Sequence, residues 1–258
     1  MSEAGVIEPA DDRMTLMEHL TELRDRIIKI VVAIVLGMVL AFILYPQIFD
    51  FLTAPYEDIA NEGRSLTGGD LLILDPLEGF GVRMKLAGYG GIAFAMPVIL
   101  WQIWQFVTPG LYPHERKYAI PFVVSALLLF VLGAGLAYYT LPRALEFLVT
   151  IGGDNLVTAF SPSKYFTLIT YMMLAFGIGF EFPILLVFLQ MARIVTVDTL
   201  RKGRRYAVVG ICVMVAVITP SGDPISMLML SVPMVFFYEV SIIVGRVLEK
   251  RRAEAQPA

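Results

Sequence analysis

No charged side chain interrupts the sequence from Leu86 to Leu111, nor from Tyr118 to Leu141. Each run exceeds the ~20 apolar residues that a helix needs to cross a bilayer. Hydrocarbon offers the backbone no hydrogen-bond partner, so runs of this kind must be helical or lie inside other helices. Four further stretches read the same way. They are Ile27 to Tyr45, with Lys29 near its start; Tyr165 to Ala192, with Glu181 inside it; Tyr206 to about Ile218; and Pro224 to Val244, with Glu239 near its far end. The pattern predicts an all-α integral membrane protein with six transmembrane helices, and a mean hydropathy of +0.74 agrees.

The loops orient the spans. With the N-terminus on one side, fifteen of the 20 lysines and arginines fall on that side. Arg64, Arg83, Lys85, Arg143 and Lys164 fall on the other. The positive-inside rule then predicts that both termini are cytoplasmic. No long polar block exists to fold separately, so residues 15–248 are expected to form one membrane domain. Residues 1–14 read as a disordered leader and 249–258 as a short cytoplasmic tail. The leader is polar and acid-rich, unlike a cleavable signal peptide. The single cysteine, Cys212, lies within the fifth span and excludes an internal disulfide framework.

Local signals refine this outline. Thr15 to Glu18 matches a capping box. Leu16, Leu20, Leu23 and Ile27 then recur on one helical face, with Glu18, Glu22 and Asp25 off it. That pattern predicts an amphipathic helix at the cytoplasmic interface, running into the first span. In the long loop from Pro46 to Lys85, Ile48, Phe49, Phe51 and Leu52 suggest a short helix lying on the membrane. Asp75-Pro76 is a helix start, with Asp as N-cap and Pro at the first helical position. Pro97 should kink the second helix. The basic segment Arg193 to Arg205 reads as a cytoplasmic loop. The fifth span, at 13 to 15 residues, covers only ~20–23 Å of a ~30 Å core. A full crossing with local membrane thinning is favoured over a re-entrant hairpin.

No catalytic set emerges. His19 and His114 lack partners at metal-ligand spacing, and no phosphate-binding glycine loop is present, so neither enzyme activity nor a cofactor is expected. The informative residues are acids. Glu22 and Glu115 lie at cytoplasmic membrane edges, where a carboxylate can take two N–H donors from one guanidinium. A lysine lacks that fork. From spacing alone, plain surface pairing with Arg24 and Arg116 is the favoured account, since exposed ion pairs are common and worth only ~0–1 kcal/mol. Glu181 is different: an ionised acid in hydrocarbon costs at least ~2.5 kcal/mol, so it must face a cavity, be paired, or be protonated. A mid-membrane acid of this kind suits a secondary transporter of a small solute. Gln102 is accounted for by a helix–helix hydrogen bond, Glu239 by snorkelling or by pairing with Arg246, and Asp223 by a turn or N-cap. Trp101 and Trp104 read as interfacial anchors.

Several stretches together resemble the TatC family, the multi-spanning receptor subunit of the twin-arginine protein translocase. They are Met17-Glu18-His19-Leu20-Thr21-Glu22-Leu23-Arg24; Pro76-x-Glu78-x-Phe80 followed by Lys85; Ala95-Met96-Pro97 through Trp104; Pro109-Gly110-Leu111-Tyr112-Pro113-His114-Glu115-Arg116-Lys117; Phe176-Gly177-x-Gly179-Phe180-Glu181-x-Pro183; and Thr219-Pro220 with Asp223. The resemblance implies a cup-shaped six-helix bundle in the bacterial cytoplasmic (inner) membrane, with both termini inside. It implies that Glu22 and Glu115 bind the paired arginines of a signal peptide, with Arg24 and Arg116 beside them. Glu181 would line the concave face. Pro55, Phe80, Lys85, Pro97, Thr219 and Asp223 are candidate contacts for translocation partners. Those partners would be TatA- and TatB-type single-span subunits, membrane lipids, folded cargo and further copies of the chain, with transport driven by the proton-motive force; no nucleic acid is implied. Three positions depart from the pattern. Ser221-Gly222 intervene where the family often reads Thr-Pro-Pro-Asp, Lys117 replaces a frequent second arginine, and Met227 replaces a residue that can be polar.

Overall fold

The computed structural model describes residues 16–59, 71, 73, 75–107, 119–151, 161–219 and 222–255. Among these the regular elements are all helices: α1 (Leu16–Ile43), α2 (Tyr45–Ile59), α3 (Glu78–Val107), α4 (Ala119–Ile151), α5 (Pro162–Gly179), α6 (Phe182–Met191), α7 (Val197–Lys202), α8 (Arg204–Ile218) and α9 (Pro224–Ala255). Five segments are long and apolar enough to cross a membrane: His19–Ile43, Glu78–Phe106, Ala119–Ile151, Pro162–Met191 and Pro224–Lys250. The sixth apolar helix, α8, has 15 residues and is therefore only ~22 Å long.

The expected interfacial helix and first span form one continuous α1. Its apolar outer face (Val31, Val35, Leu36, Val39, Ile43) is exposed on the bundle, as suits a surface facing lipid. The inner face docks on α3. Two spans in lipid gain nothing from expelling water, so close backbone approach must hold them together. Glycines allow it. A Cβ on Gly37 would lie 2.5 Å from the Gly91 carbonyl oxygen, and one on Gly91 would lie 2.4 Å from the Met38 side chain. The α4–α5 contact repeats the device, because a Cβ on Gly133 would lie 2.5 Å from the Phe176 carbonyl oxygen. Around these crossings sits a core that includes Leu141, Leu145, Phe166, Ile169, Met172, Phe176, Leu230, Met234 and Ile242.

The helix α2, expected from the sequence to lie on the membrane, packs into the bundle. Phe51 stacks on Tyr138 with ring centroids 4.5 Å apart, and Phe49 packs against Phe166. The Tyr165 hydroxyl donates to the Leu52 carbonyl at 2.6 Å. Pro55 lies inside α2 and has no N–H to give the Phe51 carbonyl one turn back. The Tyr138 hydroxyl donates to that carbonyl instead, at 2.9 Å. The proline is thus tolerated because α4 supplies the missing donor.

Several sequence expectations need correction. Asp75 shapes a turn that precedes the helix: its Oδ1 accepts from the Leu77 N–H at 2.7 Å, and α3 begins at Glu78. The third span extends ten residues beyond Leu141, to Ile151. The fourth is two helices, interrupted at Phe180-Glu181. Pro183 is the cause, since it offers no N–H to the carbonyl four residues before it and crowds the preceding turn. The basic segment after α6 is not all loop; it contains α7, whose N-cap Thr196 accepts from the Thr199 N–H. Trp104 is buried at 3% exposure against Phe122 and Phe188, so it is a packing residue rather than an interfacial anchor.

Candidate functional site

The start of α1 and the end of α3 meet at one rim of the bundle. His19 stacks on Phe106 with centroids 4.6 Å apart. Arg26 bridges the two helices: its Nη1 donates to Gln105 Oε1 at 2.8 Å, and its Nε donates to Glu22 Oε1 at 3.1 Å. A second Arg26 nitrogen, Nη2, reaches the same Glu22 oxygen. All of Arg26's donation to Glu22 therefore falls on one carboxylate oxygen. The other, Oε2, is covered and accepts no hydrogen bond, and His19 Nδ1 lies 4.0 Å from it. Glu22 thus has a half-buried carboxylate with acceptor capacity to spare.

The partner expected from spacing, Arg24, is elsewhere. It points into solvent and pairs with its neighbour Asp25 at 3.1 Å. Arg26 and Gln105 were missed. The i,i+4 spacing of Glu22 and Arg26 was a visible signal, but only tertiary contact reveals Gln105. Glu115 and Arg116 lie outside the described residues. The segment carrying them leaves α3 at Val107 and returns at Ala119. Both flanks adjoin this rim, for Trp104 packs on Phe122 across the gap.

Glu181 sits at the α5–α6 interruption, as the N-cap of α6, and its Oε1 is buried with no hydrogen-bond partner. Gln102 is also buried, and its Oε1 has no partner, so the helix–helix bond expected for it is not made through that atom. Glu239 pairs with Arg204, not Arg246, at 2.6 Å. One polar contact between spans was invisible in sequence. Gln190 Nε2 donates to the Ser241 carbonyl at 3.1 Å, with its side chain lying over Gly245.

The remaining candidates divide by exposure. Phe80 is 67% exposed and Pro97 is exposed within α3. Pro55 and Thr219 are buried, and Thr219 Oγ1 donates to its own helix at Val215. Lys85 Nζ donates to Ser163 Oγ and Thr167 Oγ1 at 2.6 and 3.0 Å. Asp223 is fully buried and caps α9, with Oδ1 accepting from the Ser226 N–H at 2.6 Å. The Gly222 before it has φ +59°, which a proline cannot adopt. The left-handed Gly222 thus stands directly before the capping Asp223. Asp223→Ala should lower stability by ~1–2 kcal/mol, while Asp223→Asn should keep most of it. Chemical denaturation in detergent, followed by circular dichroism, measures both.

The described part of the site is a carboxylate rim joined to a membrane bundle, and known proteins share this chain's plan. The family described as Sec-independent protein translocase protein (TatC) matches residues 18–233. The Sec-independent protein translocase protein TatC of Frankia casuarinae is 39% identical over 249 residues, covering 94% of this chain and 68% of that protein. The protein of the same name from Aquifex aeolicus is 36% identical over 248 residues, covering 95% and 100%. A crystal structure of the twin arginine translocase receptor TatC in DDM superposes with a TM-score of 0.75 at 35% identity, covering 88% of this chain and 99% of that one. The chain accordingly belongs to the TatC family, the integral membrane component of the Sec-independent protein translocase.

Proposed function

We propose that this chain is the signal-peptide receptor of a twin-arginine translocase, with Glu22 and Glu115 each receiving one guanidinium of the arginine pair. One observation carries the reading: Glu22 is held at the rim by Arg26 through one oxygen, and its second oxygen has no hydrogen-bond partner. An incoming guanidinium engages that second oxygen once the His19 side chain gives way. Arg24 and Arg116 tune the field around the two acids. The peptide's apolar segment then lies along the bundle toward Glu181, on the concave membrane face.

In this reading both termini are cytoplasmic in the bacterial inner membrane. The short α8 crosses a locally thinned bilayer as the sixth span. TatA- and TatB-type subunits, and further copies of the chain, dock on exposed positions such as Phe80 and Pro97. Transport of folded cargo draws on the proton-motive force. Support comes from the rim geometry, the loop charges and membership of the family.

Peptide capture tests the reading. Purified full-length protein is presented with fluorescent signal peptides carrying Arg-Arg or Lys-Lys. The arginine form should bind at least tenfold more tightly, because a guanidinium brings each carboxylate a planar fork of N–H donors that an ammonium cannot match. Glu22→Gln should remove most of that preference. Equal capture of both peptides by the unmodified chain would exclude the assigned site.

A further inference from the structure

At the end of the bundle opposite the Glu22 rim, α3 and α5 flank an open cavity of about 520 Å³ lined by Lys85, Ser163, Lys164, Thr167, Leu168 and Tyr171. Its polar groups form an unbalanced set. Lys85 has three N–H donors, of which two go to Ser163 Oγ and Thr167 Oγ1. Thr167 has already given its own hydrogen to the Ser163 carbonyl, at 2.6 Å. Ser163 accepts from Lys85 and keeps its hydroxyl hydrogen to give. Lys164 and Tyr171 have no partner among the described residues. Among the described residues the cavity therefore presents spare donors from four side chains and no carboxylate.

Glu78 is the nearest acid in this network. It accepts from the Ser163 N–H at 2.9 Å and from the Ser161 hydroxyl, and is not one of the cavity walls. Among the described residues of this network, two lysines stand against one carboxylate. Depth narrows the ligand. Lys85 lies seven residues inside the start of α3, or ~10 Å along its axis. Leu168 and Tyr171 continue the wall into the spanning segment. Both walls thus belong to segments long and apolar enough to cross a membrane, which puts a lipid headgroup within reach of the opening.

We propose that this cavity between α3 and α5 holds the phosphate of an anionic phospholipid, with Lys85 and Ser163 as its fixed donors and Lys164 as its mobile one. A zwitterionic headgroup is disfavoured because the walls offer its cation no acceptor. The assignment is independent of the receptor reading, since none of these residues belongs to the rim.

Native mass spectrometry of the delipidated full-length protein, titrated with phosphatidylglycerol, tests it. One tightly held lipid is expected. Lys85→Gln should weaken its retention about tenfold, the scale of one lost charged hydrogen bond. Lys85→Arg should keep it. Lys164→Gln, which breaks no bond within the fold, should weaken it several-fold without affecting folding. Arg201→Gln on α7, among the basic residues far along the chain, should leave it unchanged. Equal retention by the unmodified chain, Lys85→Gln and Lys164→Gln would overturn the proposal. So would equal retention of phosphatidylcholine, or displacement of the lipid by millimolar inorganic phosphate.

Discussion

Gly91→Leu is expected to yield no stable protein. A single Cβ at this position would already lie 2.7 Å from the Met38 backbone nitrogen as well as against its side chain. Leucine adds three further carbons at a place where α1 and α3 touch through their backbones. The two helices must then part along their length. The Arg26–Gln105 bond and the His19–Phe106 stack, near one end of the same contact, would be lost with them. Overpacking of this kind costs ~1–3 kcal/mol even where neighbours can move, and a backbone cannot move cheaply. Gly91→Ala should be tolerated only partly, with a measurable fall in melting temperature. Gly88→Ala on the same helix has open space around its Cβ, and should match the unmodified chain. The readout is the yield of monodisperse protein after detergent extraction, with Gly88→Ala as the control for substitution in α3. Normal yield from Gly91→Leu would mean that the α1–α3 crossing is looser than described.

The second large effect concerns the two rim acids taken together. Glu22→Gln keeps the shape of the side chain and removes its charge. One lost charged hydrogen bond of ~1.5–3 kcal/mol corresponds to about tenfold or more in signal-peptide affinity. The same holds for Glu115→Gln. If each acid serves a different arginine, the double variant should lose about a hundredfold, because independent sites add. If both acids grip one arginine, the losses should fall well short of additive. Replacing each peptide arginine by lysine, one at a time, completes the cycle. The arginine whose replacement no longer matters in the Glu22→Gln background is the partner of Glu22. Full additivity between Glu22→Gln and both peptide substitutions would show that Glu22 contacts neither arginine.

The two experiments probe parts of the chain that were unequally visible in its sequence. Charge-free runs such as Leu86 to Leu111 revealed the spans because lipid imposes one rule on every backbone group within it. Asp223 was legible as a cap because the signal lies in adjacent residues. The interruption at Phe180-Glu181 was half legible: Pro183 stood in plain view, but Glu181 drew attention to charge rather than to backbone. What escaped was tertiary. Nothing near Arg26 announces Gln105, and nothing near Pro55 announces the Tyr138 hydroxyl that satisfies Phe51. Trp104 misled because an indole near a span end suits both a buried slot and an interface, and only the aromatic neighbours from α4 and α6 decide between them.

The glycine crossing also sets a timetable. The first span is complete at Ile43, while its contact residue Gly91 is made about 50 residues later, several seconds on at roughly 5–20 residues per second. Through that interval the newborn span waits in the bilayer without its mate. A rod with valine and leucine around most of its girth can do so safely, since surrounding acyl chains solvate it as well as a neighbour would. Its partner supplies register and proximity, and survival in the membrane does not depend on it.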